Sequence, residues 1–253
     1  MIWTLAHNTF REAVRDRVLH SILLFAIATV CVALLLKDVT LGDQDKIVRS
    51  VAQGGIDLFA SIIAMFLGVS LVWKEIENKT VYTILSKPVA RWQFLMGKYC
   101  GLMLTILVEV LLLSLTYVCL LTWQQGFPTS IFFVSMGMLA VELMLLTAWA
   151  MLFSTYSAPT TASAFILSIF VIGHVVDDLW LLGTKSDNVL LADVVKTLYW
   201  VMPNFEVLSI REDAVHQRVV PWERVWTGIA YGVSYTGLVL LSAIGIFSKK
   251  DIK

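Results

Sequence analysis

The chain has 253 residues, 58% of them hydrophobic and 15% charged, with a mean hydropathy of +0.79. That balance excludes a water-soluble domain, whose surface needs far more charge than this. Lys and Arg number 19, Asp and Glu also 19, so the formal charge is zero and no overall field points to nucleic acid.

The first element covers residues 1–17. Ile2, Leu5, Phe10, Ala13 and Val14 share one face of a helix, and Arg11, Glu12, Arg15, Asp16 and Arg17 the other. This pattern predicts an interfacial helix lying on the bilayer. Its charged region is too long for a signal peptide, and no small-residue cleavage site follows. Apolar runs then occur at 18–36, 51–73, 99–122, 130–153, 160–182 and 225–247. Each is near the roughly 20 residues needed to cross a ~30 Å hydrocarbon core. Backbone groups in lipid must be satisfied within the segment, so the runs are predicted to be helices. Trp73, Trp123, Trp180, Trp222 and Trp226 stand near their ends, where an aromatic belt belongs. The expected fold is an all-α integral membrane protein, a single transmembrane domain of six helices over 1–253.

Six spans put both termini on one side. The N-terminal helix, the 74–98 loop and the tail hold 11 of the 19 Lys and Arg. The long 183–224 loop has little weight in orientation, so the termini are assigned to the cytoplasm and the protein to the plasma (inner) membrane. Within that outer loop, Leu190, Leu191, Val194, Val195 and Leu198 form an apolar stripe. It predicts a helix over 189–201, its stripe buried against the outer mouth of a pathway. Pro203-Asn204 breaks it, a second short helix is expected over 205–215, and Pro221 suits the first turn of the last span.

The most patterned polar interval is Trp73 to Lys98. Lys74, Lys79, Lys87, Arg91 and Lys98 face only Glu75 and Glu77 in charge. Ile76, Val81, Ile84 and Leu85 recur at helical spacing, and Pro88 then stops the helix. A second short helix starts at Arg91. The pattern Glu75-x-Glu77-x-x-Thr80, with Leu85, Pro88, Arg91 and Gly97-Lys98, resembles the first cytoplasmic loop of type-2 ABC exporter permeases. The resemblance extends to the N-terminal helix, the six spans, the Pro203-Asn204 turn and the basic tail. Lys79 departs from it, standing where the family usually has glycine. The resemblance implies that 74–87 is a coupling helix docking into a partner ATPase through Glu75, Glu77, Thr80, Leu85, Pro88 and Arg91. It further implies two cytoplasmic ABC ATPase subunits, a second permease copy or homologue, and export as the direction. ATP and magnesium would then be bound by the ATPases, with no cofactor in this chain. Consistent with that, no GxxxxGK[ST] occurs, so the chain is not expected to be an enzyme.

Ionisable groups at membrane depth are costly, about 2.5–3.5 kcal/mol each on insertion scales. Glu109 and Glu142 lie symmetrically about the turn at Gln124-Gln125-Gly126 and are expected at equal depth, sharing a hydrogen bond. They read either as a polar patch on the pathway or as a pair locking two helices. His174, Asp177 and Asp178 read as groups solvated at the interface rather than a metal site, and Asp57 as a group that snorkels or pairs, for example with Lys46 or Arg49. Gly97-x-x-x-Gly101 and Gly228-x-x-x-Gly232 could permit close helix contact. Cys31, Cys100 and Cys119 sit apart in apolar runs and read as core residues. Rival readings are an ion-driven secondary transporter and a non-transporting anchor of an assembly complex. The former wants spans broken at Gly or Pro, and here every proline lies at a span end or in a loop. An intramembrane enzyme would need a nucleophile–base or metal set, and none is apparent.

Overall fold

The structure, a computed structural model, describes residues 2–15, 44–77, 90–123, 126–185 and 189–249, with scattered positions between 24 and 35. Eight helices follow in order: α1 (Ile2–Arg15), α2 (Gln44–Glu77), α3 (Arg91–Trp123), α4 (Ser130–Tyr156), α5 (Pro159–Lys185), α6 (Val189–Val201), α7 (Arg211–Val215) and α8 (Trp222–Lys249). No strand occurs among the described residues. Among the described residues, five helices are long and apolar enough to span a membrane: α3, α4, α5, α8 and the 46–70 part of α2. The protein is thus an all-α integral membrane protein. The expected first span, 18–36, lies largely outside the described residues.

The centre of the bundle is α4. It is apolar on all sides, with no preferred face to turn outward, and so it packs against α2, α3, α5, α7 and α8. Leu143, Leu145, Leu146, Ala148, Ala150 and Met151 are fully buried along it. Small residues set how closely the neighbours approach. A Cβ on Gly68 of α2 would stand 2.6 Å from the Ala150 Cβ. Gly228 and Gly232 of α8 meet Met138 and Val141 of α4, so that spacing is a contact seam.

The other glycine pair seats α1. A Cβ on Gly97 would lie 2.7 Å from Leu5, and one on Gly101 2.6 Å from the Ala6 carbonyl oxygen. The register of these contacts runs α1 parallel to the first half of α3. Ala6, Thr9 and Ala13 are its buried face, and Lys98 meets Glu12 at 3.4 Å beside them. The apolar side of α1 thus packs on protein.

The chain after α5 doubles back. There α6 returns along the C-terminal half of α5, with Val195 against Gly183 and the Tyr199 ring 4.7 Å from Trp180. Here the expectation of a buried stripe fails in part. Val195 is buried, but Leu190 and Val194 are 78% and 58% exposed. One helix-wide contact with α5 covers only one line of side chains. A second helix does form, but only over Arg211–Val215; the chain from 205 to 208 is turn.

Candidate functional site: a buried polar node beneath a re-entrant turn

The return of α6 delivers Pro203-Asn204-Phe205 to Gly173, near the middle of the 27-residue α5. The Phe205 amide donates to the Gly173 carbonyl at 3.0 Å. Only glycine allows this approach, because a Cβ there would stand 2.5 Å from the Phe205 ring and 2.7 Å from the Pro203 oxygen. Asn204 fixes the turn from three sides. Its side-chain amide donates to Asp177 at 2.8 Å, its backbone N–H donates to the Tyr231 hydroxyl at 2.8 Å, and its Oδ1 accepts from the Val207 N–H at 3.3 Å. The turn is therefore pinned to α5 and α8 together. Leu208 beyond it is fully buried and sits beside Gly232.

Beneath the turn, charged groups from four helices meet. Arg211 of α7 reaches Asp57 of α2 at 3.6 Å. His174 of α5 places Nε2 3.3 Å from Glu142 of α4 and Nδ1 2.9 Å from the Phe170 carbonyl. Its ring lies between Phe170 and Phe205, with centroids at 4.5 and 5.3 Å. Asp57, Ser135, Glu142, Ser209 and Arg211 line a cavity of about 10 Å³, space for about one water. Glu206 hangs at the rim, where partial burial pushes its carboxyl above its ordinary range. The His174 imidazole opposes that shift, and Glu212 and Asp177 add to it. Arg224 closes the outer side, bridging to Asp213 at 3.0 Å.

These contacts correct three expectations. Asp57 pairs with Arg211 from the returning loop, not with Lys46 or Arg49. His174 is engaged by Glu142 rather than left to interfacial water, while Asp177 accepts from Asn204 and stays exposed, as does Asp178. The shared hydrogen bond between Glu109 and Glu142 is not made. Glu142 turns to His174, while both Glu109 oxygens are buried with no hydrogen-bond partner among the described residues. Equal depth fixes the height of two residues on their helices and says nothing of the side each faces.

The opposite end of the bundle holds the other predicted site. Glu75 and Glu77 fall in the last turn of α2, while Thr80, Leu85 and Pro88 lie outside the described residues. Arg91 opens α3 and donates to the carbonyls of Phe247 at 3.3 Å and Ser248 at 3.0 Å. It thus satisfies orphan acceptors at the C-terminus of α8, where a cation also suits the helix dipole. Phe94 and Phe247 stack beside it at 5.9 Å. No cluster able to hold a metal occurs among the described residues.

The family model for ABC-2 family transporter protein matches residues 3–252, nearly the whole chain. The chain belongs to the ABC-2 transporter family. No curated protein matches it. Family membership makes this chain an ABC transporter permease, the transmembrane component of the system. Sequence reasoning had named Glu142 but missed its partner and overlooked Arg211 and Tyr231. The available signal was Pro203-Asn204 inside an otherwise apolar region, a turn with polar groups that must be paid in hydrogen bonds.

Proposed function

We propose that this ABC-2 permease works as half of an ATP-driven exporter, pairing with a second permease and two cytoplasmic ATPase subunits that bind ATP and magnesium. The observation that carries this reading is the family match from residue 3 to residue 252 on an all-α bundle. The 74–87 segment is the coupling element, with Glu75 and Glu77 presented to a basic groove on the ATPase and Thr80, Leu85 and Pro88 shaping the helix and its end. Both termini and this segment face the cytoplasm, and the membrane is the plasma (inner) membrane.

The route for the stroke is mechanical. Glu75 and Glu77 sit on the same continuous 34-residue helix as Asp57. A push on the inner end of α2 therefore tilts a rigid rod whose outer half is bound to Arg211 under the re-entrant turn. On the other side of the coupling segment, Arg91 ties α3 to the end of α8, whose outer half holds Tyr231 against Asn204. Closure of the ATPases thus acts on the re-entrant turn from two helices at once, which is the motion alternating access requires.

The test is co-purification with the ATPase. Glu77→Lys is expected to insert in the membrane normally and to lose the ATPase. Recovery of an unchanged complex with full ATP hydrolysis from that variant would contradict the coupling role.

A further inference from the structure

We propose that Glu142 and His174 form a buried proton-binding site whose proton latches the re-entrant turn onto α5. His174 Nδ1 is 2.9 Å from the Phe170 carbonyl oxygen, which can only accept, so Nδ1 carries a hydrogen. In a neutral imidazole the other nitrogen, Nε2, is then a bare acceptor. That nitrogen stands 3.3 Å from Glu142 Oε1. If Glu142 were ionised and His174 neutral, two lone pairs would face each other there. The contact exists only with one further proton between them, as imidazolium and carboxylate or as imidazole and carboxylic acid.

The surroundings demand the same count. Asp57 of α2 also faces the pair and lies 3.6 Å from Arg211. The other group facing the pair is Glu206 on the turn, which Asp177 of α5 and Glu212 of α7 reach in turn. These acids favour the proton. Glu142 has only 7% of its side chain exposed, so removing the proton would bury an uncompensated negative charge.

Loss of the proton moves the turn because His174 is part of its seat. The imidazole lies against the ring of Phe205, the residue after Asn204, and His174 directly follows Gly173, whose carbonyl holds the Phe205 amide. The latch holds while the shared proton is in place and is lost once rising pH removes it. This conclusion does not depend on the partner ATPase or on what is transported.

The test is hydrogen exchange of the purified full chain in detergent, read on peptides covering 203–210 between about pH 5 and about pH 9 and corrected for the intrinsic exchange rate. Protection of the amides of Asn204, Phe205 and Ser209 is expected to fall about tenfold with rising pH. Glu142→Gln is expected to abolish this dependence and stay protected throughout, because a glutamine N–H can donate to bare Nε2 without a proton from solvent. A flat profile in the unaltered chain, or the wild-type pH dependence persisting in Glu142→Gln, would overturn the proposal.

Discussion

Glu109 and Glu142 show how much a partner decides. Both are buried carboxyl groups in apolar helices, yet one has a counterpart and the other none. Replacing Glu109 by Leu strands no donor or charge and removes an unpaired polar group, so it is expected to be neutral or to raise the melting temperature. Glu142→Leu strands His174 and is expected to cost about 1–3 kcal/mol. Thermal unfolding of the two variants in the same detergent checks the contrast, and the reverse order would contradict it. Glycine gives a second residue-scale test. Gly173→Ala would drive a methyl into the Phe205 ring and the Pro203 backbone oxygen, with an expected loss of about 1–3 kcal/mol. Gly137→Ala and Gly237→Ala, where a Cβ would meet nothing within 4 Å, are expected to be neutral or stabilising by up to about 1 kcal/mol. Equal melting shifts for all three would show that the re-entrant turn does not rest on Gly173.

At the scale of elements, the seat of α1 is the sharpest case. Gly101→Val places a branched side chain where Thr9 and the Ala6 carbonyl already stand, 2.5 and 2.6 Å from the Cβ. The expected outcome is α1 displaced from α3 and faster tryptic cleavage at Arg11, with the other helices intact; unchanged cleavage would mean α1 is held by something else. The long helices themselves were legible. Runs of about 20 apolar residues leave the backbone no alternative in lipid, and α3, α4, α5 and α8 lie over the predicted runs. The helix at 189–201 was equally legible from its stripe. Its direction was not, because a stripe identifies a buried side without naming what covers it. That Asp57, Glu142, His174 and Arg211 converge depends on α6 folding back along α5, a fact no local pattern contains. Arg91 was singled out by resemblance as a coupling residue, and the structure adds an intramolecular contact at the end of α8.

At the scale of the whole molecule, the bundle has two polar ends. At one lie Glu75, Glu77 and Arg91; at the other, a turn pinned to α5 and α8 above a node of charges. Rigid helices connect them, and α4, buried on nearly every side, gives α2 and α8 a common surface to move against. The claim is that ATP binding in the partner subunits is felt at the re-entrant turn. It is tested most directly by pulsed electron paramagnetic resonance on the complex with its ATPase. Spin labels are placed at Val219, 96% exposed beyond the turn, and at Leu182, 63% exposed near the outer end of α5, with the three native cysteines replaced. The account predicts that the distance between the labels shifts when ATP is added. An unchanged distance distribution in a complex that is assembled and hydrolysing ATP would contradict it.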